Sequence, residues 1–578
     1  MKVTDYIVQF LKSKGIVDVF GYQGTMIAHF IDSICNDSTM KNHSCYNEQG
    51  AAFAACGYSK VSGRTSVAYA TSGPGALNLL SGIADAYYDS VPVIFITGQL
   101  NTTEYTEIND LRQQGFQQTN VVEITKAITK YSVFIDNAEN IIYLLEKAFA
   151  IANEGRKGPV LLDIPMNIQR AEIDLDNVRH FTEDMSKKEN EEEACQLIFR
   201  EIQKAKAPIF LVGNGVRLGD CRKSLIKDLV EKYNIPLITS MLARDILPYN
   251  HKLNFGFIGS GYGHRFANLI AYKKADLIIS LGCSMCRRQT GIRTEKFAEN
   301  ATIIRVDIDE IELKRKVHKN ETSIVADANL IINRLLKKEY VHDVTFDEWL
   351  KKCNYIKKIT QNFDDLCLER IPNKIIYSLS NRLKTDCTVV SDVGQHQVWC
   401  AQSFQVKDGQ KMLFSGGHGA MGFALPAAIG AYYATRRPVI CIAGDGAFQM
   451  NIQELQWVKR EQIPILILVL NNSSLGLIQQ QQDDFFGGKH YGSGIEGGYV
   501  APCFSDIGNA YGIDSYTVSS ENEINDILNK NFVINKPILI EIYLANNTKA
   551  YPKTYFGEEM FNQRPLLDVD ILNELLEI

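Results

Sequence analysis

Short apolar runs rich in Val, Ile and Leu recur along the chain, each closed by Gly, Pro or a polar turn and followed by a helix-length segment. In the first third they are Val17–Phe20, Ser66–Ala70, Val91–Thr97 and Val160–Ile164. The middle carries Ile209–Val212, Pro236–Thr239, Leu277–Leu281 and Ile303–Val306, and the last third Thr388–Ser391, Val439–Ala443 and Ile465–Leu470. Continuous rather than alternating runs predict strands buried on both faces, and so parallel sheets covered by helices. The predicted fold class is α/β: three doubly wound parallel-sheet domains over residues 1–178, 179–345 and 346–550, with a tail at 551–578. Ala51–Ala55 predicts a helix that allows close approach of a neighbour. Three polar stretches interrupt the pattern. The charge run Lys187–Glu193 predicts a solvated linker and helix start, 351–365 leads into the third unit, and 101–118 is long enough to predict a site-lining loop.

Size and charge narrow the class without changing that picture. At 578 residues the chain exceeds one core and suits three or four domains of about 150 residues. A net charge of −6 leaves no basic surplus for nucleic acid. Runs such as Ile463–Leu470 are far short of the roughly 20 residues that span a bilayer. Met1-Lys2-Val3-Thr4-Asp5 does not read as a secretory signal, so the cytoplasm is expected. The 13 cysteines are odd in number and lie in apolar stretches, which predicts reduced thiols. Cys283-x-x-Cys286 has no second pair and predicts no zinc site.

Candidate chemistry gathers at strand ends. Gly444-Asp445-Gly446 follows one apolar run and Asn471-Asn472 the next, so a βαβ unit places Asp445 and Asn472 on one carboxyl edge. A carboxylate, an amide oxygen and a backbone carbonyl suit Mg²⁺ that is also held by phosphate oxygens. Thr71-Ser72-Gly73-Pro74-Gly75 opens a helix where a polar ligand edge can rest. Gly213-Asn214-Gly215 also follows a strand, but the helix-packing glycine of a dinucleotide fingerprint is not evident.

Glu48 in Asn-Glu-Gln-Gly-Ala-Ala, Thr71-Ser-Gly-Pro-Gly-Ala-Leu-Asn, Gly417-His-Gly-Ala-Met-Gly and Gly444-Asp-Gly with Asn471-Asn together resemble the thiamine-diphosphate enzymes, in particular their acetolactate synthase branch. The likeness spans nearly the whole chain. It implies pyrimidine-binding, central and diphosphate-binding domains in that order, and thiamine diphosphate with Mg²⁺ as cofactors. Asp445, Asn472 and the Ser474 carbonyl would hold the metal. Gly394, Gln395 and His396 would meet the phosphates, with Gly444, Gly446, Leu475 and Gly476 beside them. Met421 would sit under the cofactor, Gly419 and Met421 would bind the aminopyrimidine, and Glu48 would hydrogen-bond that ring as the catalytic carboxylate. The family also implies at least a homodimer, dimer or tetramer, with active sites between subunits. The implied reaction is decarboxylation of a 2-oxo acid such as pyruvate, with transfer of the acyl unit to a carbonyl acceptor. The same scaffold carries simple decarboxylases, hydrolases of cyclic diketones and non-catalytic regulatory subunits; retention of Glu48, Asp445 and Asn472 argues against the last.

Departures concern the substrate. Met166 stands where a lysine is usual, Gln481 where a tryptophan is usual and His418 where an apolar residue is usual. Phe116 and Gln117 match an active-site Phe-Gln, behind a lengthened loop in which Arg112 could meet an anion. Gln23, Gly24, Arg112, Phe116, Gln117, Met166, Leu477 and Gln481 make up the predicted substrate pocket, His418 stands beside the cofactor, and the polar exchanges favour a polar or polyhydroxylated acceptor. Gln117, His418 and Gln481 join Glu48 as catalytic candidates. FAD is not expected, because Ser284-Met-Cys-Arg-Arg288 keeps only the last arginine of the family's Arg-Phe-Asp-Asp-Arg, although Val306-Asp-Ile-Asp309 survives.

Overall fold

The computed structural model describes all residues except 107, 109–110, 177–178, 183–190, 219–222, 338, 340–343, 368–370, 384–385, 531–533 and 556. The division at 178 and most of the charge run Lys187–Glu193 therefore lie outside the described residues. Glu191 to Glu193 open the helix Glu191–Lys204, where carboxylates suit the N-terminal dipole.

Three six-stranded sheets, parallel throughout, form the chain. The first contains β1 (Asp18–Gly21), β2 (Lys41–Ser44), β3 (Ser66–Ala70), β4 (Val93–Gln99), β5 (Tyr131–Phe134) and β6 (Val160–Pro165), in the order 2-1-3-4-6-5. The second contains β7 (Pro208–Val212), β8 (Leu237–Thr239), β9 (Asn254–Phe257), β10 (Leu277–Leu281), β11 (Thr302–Asp307) and β12 (Glu321–Val325), in the order 12-11-10-7-8-9. Its strand order is that of the dinucleotide-binding sheet. The third contains β13 (Thr388–Ser391), β14 (Lys411–Phe414), β15 (Val439–Gly444), β16 (Ile465–Asn471), β17 (Asp514–Val518) and β18 (Ile538–Tyr543), in the order 14-13-15-16-18-17. The first and third sheets thus share one topology.

Apolar packing joins these two sheets. The helix Glu48–Ser62 lies on the helix Ala424–Thr435, and Phe53, Phe95, Phe423 and Trp457 belong to one core that both sheets supply. Small residues permit the crossing: a Cβ on Gly57 would stand 2.1 Å from Ala427 O. The second sheet has its own core, which draws in Phe346, Trp349, Cys353 and Ile356 from beyond the 345 division. Those last three lie on the helix Asp347–Cys367, and Trp349 Nε1 donates to Pro208 O at 2.9 Å. Met560, Phe561, Leu567 and Leu575 of the tail join the same core, the first two from the loop of a short hairpin of β19 (Lys553–Thr554) and β20 (Gln563–Arg564) and the last two from beyond it. No helix among the described residues is long and apolar enough to cross a membrane.

Candidate active site

Two neighbouring strands build the cavity at Asp445. β15 hands the chain at Gly444 to the helix Asp445–Gln449, and β16 leads through Asn471 and Asn472 into the helix Gly476–Phe485. Their register sets Gly444 beside Leu470, so both ends open on one carboxyl edge. A cavity of about 160 Å³ lies there, with Gly394, Gln395 and His396 from the end of β13 and Met421 from the loop after β14 among its walls. Gly444, Asp445, Gly446, Asn472, Ser474, Leu475, Gly476 and Leu477 complete the predicted residues on this wall. Space fixes two of the glycines. A Cβ on Gly446 would stand 2.4 Å from Leu475 Cδ2, and one on Gly476 2.0 Å from Gln395 Oε1.

Asp445 is buried and accepts the Ser474 amide at 3.0 Å. Burial pushes its pKa up to about 6, opposed by the Gly446 and Ser474 amides and the Tyr499 hydroxyl. Gln395 orients Asn472: its Oε1 accepts Asn472 Nδ2 at 3.1 Å while its own Nε2 donates to Thr548 O at 2.8 Å. That leaves the amide oxygen of Asn472 as the end that can meet a cation. Ser473 holds a left-handed φ of 47°, with its amide on Asn471 Oδ1 at 2.9 Å, in the turn that leads to Ser474. Burial lowers the His396 pKa to about 3, so the ring is neutral. Three polar atoms of this one wall, His396 Nε2, Trp399 Nε1 and Ser474 Oγ, are buried with no protein partner. Such orphans are uncommon in folded proteins and point to a polar ligand.

Among the described residues no cluster of three His, Cys, Asp or Glu side chains is placed to hold a metal alone. One carboxylate and one amide oxygen instead fit a hard cation that brings further oxygen ligands with it, as Mg²⁺ does on a diphosphate. The residues present therefore fit both Mg²⁺ and a diphosphate.

Comparison with known proteins agrees with this geometry. Three models match the chain in order: "Thiamine pyrophosphate enzyme, N-terminal TPP binding domain" over residues 1–124, the central domain over 195–335 and the C-terminal TPP binding domain over 392–542. The acetolactate synthase large subunit of Lactococcus lactis is 34% identical over 553 residues, covering 94% of this chain and 93% of that protein. The isozyme 2 large subunit of Escherichia coli is 32% identical over 570 residues, covering 96% and 97%. The chain belongs to the thiamine pyrophosphate enzymes. It is accordingly a thiamine-pyrophosphate-dependent enzyme of the lyase or transferase type.

In this thiamine pyrophosphate enzyme the remaining candidates fall into separate clusters. Glu48 is the first residue of its helix, behind the N-cap Asn47. It is buried, its Oε2 accepts Asn78 Nδ2 at 3.0 Å, and a Cβ on Gly75 would stand 3.0 Å from its Oε1. Gln117, with a left-handed φ of 62°, packs on the same turn, its carbonyl 2.7 Å from where a Gly73 Cβ would be. Gly24 abuts Thr71 beside them, and Gln23 is exposed. These residues gather on the carboxyl edge of the first sheet. Glu48 is not in the wall of the Asp445 cavity of its own chain.

Phe116 is 80% exposed and Arg112 is exposed on the 101–118 loop. Met166, half-buried, precedes Asn167, which exchanges hydrogen bonds with Thr102 at 2.9 and 2.8 Å. His418 stands outside the Asp445 cavity, exposed and stacked on Tyr88 at 5.8 Å. Gly419 holds a φ of 70° but is not in the wall either.

Several participants carried no readable signal in the sequence. Tyr499 reaches Asp445 from across a long loop. Trp399 lies one helical turn beyond Gln395. Glu454 accepts the Tyr46 amide at 3.1 and 3.2 Å and so ties the third domain to the loop that delivers Glu48. Gly213-Asn214-Gly215 also does more than its incomplete motif indicated. It walls a cleft of about 540 Å³ at the switch point of the second sheet. The close-packing glycine is Gly282, just past the end of β10: a Gly213 Cβ would stand 2.2 Å from its carbonyl oxygen. Asn214 Oδ1 and Ser240 Oγ of that cleft are unpartnered. Its cations are committed, Arg156 to Asp309 and Glu312 at 3.1 and 3.3 Å and Lys157 to Leu218 O at 3.0 Å.

Proposed function

We propose that this enzyme, with thiamine diphosphate and Mg²⁺, decarboxylates a 2-oxo acid of the pyruvate type and joins the acyl unit to a carbonyl acceptor. The observation that carries the proposal is the cavity in which Asp445, an oriented Asn472 and three unpartnered polar atoms converge on glycine-cleared walls. Similarity to acetolactate synthases along nearly the full chain supports the reaction class.

Bound thiamine diphosphate supplies a nucleophilic carbon and an electron sink for the pair left when CO₂ departs. The chain's own groups do the rest. Asp445, Asn472 Oδ1 and the Ser474 carbonyl hold the metal, and the neutral His396 and Gln395 face the phosphates without adding charge. Met421 gives the cavity an apolar floor that excludes water. Glu48 holds and passes a proton at its carboxylate, kept in place by Asn78. Because Glu48 lies outside the Asp445 cavity of its own chain, a second copy delivers it, and the enzyme works as a homodimer or a multiple of one. Large apolar side chains left open near both half-sites, Phe116 on one and Tyr491 at 72% exposure beyond the other, support such a covering copy. No flavin takes part in this reading, given the committed cations of the central cleft.

The test is CO₂ release from pyruvate by the protein loaded with thiamine diphosphate and Mg²⁺. Glu48→Gln should retain cofactor binding and lose most turnover. Unchanged turnover would refute the role of Glu48, and absence of CO₂ release with the cofactor bound would refute the decarboxylation. Stoichiometric flavin absorbance after incubation with FAD would overturn the reading of the central cleft.

A further inference from the structure

A second cavity, about 370 Å³, adjoins the cofactor cavity along the helix Gly476–Phe485: Leu477 and Ile478 belong to the walls of both. Its other sides are the central-domain loops carrying Tyr262 and Arg293 and the tail segment carrying Tyr555 and Glu558. Gln481, one turn beyond Leu477, faces it, as the three- and four-residue spacing of a helix face requires.

The polar run Gln479–Asp484 is mostly occupied with holding the fold. Gln480 exchanges hydrogen bonds with Ala550 at 3.2 and 3.0 Å. Asp483 pairs with Lys549 at 2.8 Å and His490 at 2.6 Å, and Asp484 with Lys553 at 2.5 Å and the Tyr555 hydroxyl at 3.1 Å. Gln479 bonds to His490 at 3.1 Å and Gln482 to Tyr491 O at 3.0 Å. Among the described residues, Gln481 is the member of the run without such a tie.

The wall's charges sort in the same way. Lys553 is neutralised by Asp484, and Glu558 Oε1 accepts Arg564 at 2.7 Å. Arg293 has no ion pair among the described residues and stands exposed in the wall. Glu558 Oε2 is buried with no donor. The wall therefore offers one uncommitted guanidinium, one orphaned acceptor and one free amide, in a space far larger than a second small oxo acid fills.

We infer that this cavity binds the acceptor, and that the acceptor is a polyhydroxylated carbonyl compound with an anionic group remote from the reacting carbon. Arg293 holds the anion, phosphate or carboxylate, through charge-assisted hydrogen bonds. Glu558 Oε2 accepts a hydroxyl, and Gln481 meets another. The inference rests on the carboligation reading, and its chemistry balances. The bond from the donor's carbonyl carbon to its carboxylate breaks and CO₂ leaves. The electron pair forms the new bond to the acceptor's carbonyl carbon, and that carbonyl oxygen takes up one proton, with no net oxidation.

The experiment measures product formation from pyruvate with four acceptors: fructose 6-phosphate, 2-ketogluconate, fructose and 2-oxobutyrate. A parallel calorimetric titration of each acceptor into the cofactor-loaded enzyme does not depend on turnover. Expected is a preference for fructose 6-phosphate or 2-ketogluconate over both others, the better of the two naming the anion. R293M should weaken binding and raise the acceptor KM about ten- to hundredfold, the range of a charged hydrogen bond, and R293K should recover part of the loss. Preference for 2-oxobutyrate, or equal binding of the anionic acceptors by wild type and R293M, would overturn the inference. Loss of CO₂ release together with Arg293-dependent binding would instead refute the carboligation reading and leave the cavity's assignment standing.

Discussion

Lys60 is the charge on which the loop leading to Met421 depends. It is 7% exposed and lies on the helix Glu48–Ser62, with Nζ 2.9 Å from Asp85, 2.7 Å from Asp89 and 3.1 Å from Phe414 O. The two carboxylates reach on into the third domain. Asp89 accepts the amides of Gly416 and Gly417 at 3.1 and 2.7 Å, and Asp85 accepts Ser415 Oγ at 2.5 Å. Ser415 Oγ in turn accepts the Ala420 amide at 2.9 Å, next to Met421. Lys60→Met keeps much of the volume and leaves two buried carboxylates without their cation. Breaking one such pair costs about 3–5 kcal/mol, a large part of the roughly 5–15 kcal/mol that holds a domain.

The pH dependence carries a definite sign. Burial already raises the Asp85 pKa, and loss of Lys60 raises it further. A carboxyl with a folded pKa above its unfolded value of about 3.9 favours the fold while protonated and loses that contribution as pH rises through the folded pKa. The deficit of K60M should thus be small at pH 5 and largest at pH 8, read as the shift in urea midpoint. Cofactor titration followed by tryptophan fluorescence, with Trp399 in the cavity wall, should show weakened binding below the unfolding range. K60M/D85N/D89N, which removes the whole buried set, should recover most of the stability. A K60M midpoint equal to wild type at pH 8, or a deficit identical at both pH values, would refute this reasoning.

Asp163 offers a second pH test. Burial pushes its pKa up to about 7 against the Thr97 and Gln99 hydrogen bonds, so its stabilising contribution is present below about pH 4 and lost by about pH 7. Asp163→Asn should be more stable than wild type at pH 8 and lose that advantage toward pH 5, and parallel pH profiles would contradict the assignment. Glu454→Ala leaves the half-buried amide of Tyr46 without its acceptor at the entry to Glu48; about 1 kcal/mol of stability should go, with turnover falling further than cofactor affinity. Gly446→Ala places a methyl 2.4 Å from Leu475 Cδ2 and 3.1 Å from the Tyr499 hydroxyl, and should abolish measurable cofactor binding with little change in the urea midpoint.

Every interior strand except β18 is legible in the sequence, and the rims are not. The strands at the sheet edges, β2, β5, β9, β12, β14 and β17, were absent from the expectation. β2, β5, β12 and β17 are partly exposed and mix polar with apolar residues, as in Lys41-Asn-His-Ser44, so no continuous apolar run marks them. β18 is interior but is broken by Glu541, which is buried and bonded to Asn471 Nδ2 at 2.7 Å. At the site, residues that act next to their own glycines were legible, because Gly444-Asp445-Gly446 and Asn472 announce a strand end. Tyr499, Arg293 and Glu558 were not, since each reaches its cavity from a loop whose position only the folded chain defines. The neighbours of Gln481 were illegible for a related reason: the other five polar residues of Gln479–Asp484 tie the helix Gly476–Phe485 to segments that only the fold brings beside it.

The shared topology of the first and third sheets has a consequence that individual motifs do not reveal. Gly57 lies against Ala427 O, and Gly430 lies against Ala54 O, with 2.1 and 1.8 Å to the Cβ each glycine lacks. The spacing from Ala54 to Ala427 equals that from Gly57 to Gly430, and also that from Glu48 to Met421. The two helices therefore cross as a pseudo-twofold pair with reciprocal contacts, as an isologous interface does, and Glu48 and Met421 hold matching positions in the two units. Reciprocity makes Gly57→Ala and Gly430→Ala equivalent perturbations. Each drives a methyl into a backbone carbonyl that cannot rotate away, so the helices must separate at a cost of about 1–3 kcal/mol or more. Because the same shift moves Glu48 and Met421, both variants should also lose cofactor affinity in step with stability. Urea midpoints that fall together, with parallel losses in cofactor titration, are expected. If one variant unfolds early while the other matches wild type, the crossing is set from one side only, and the pairing of Glu48 with Met421 across the pseudo-twofold has no mechanical meaning.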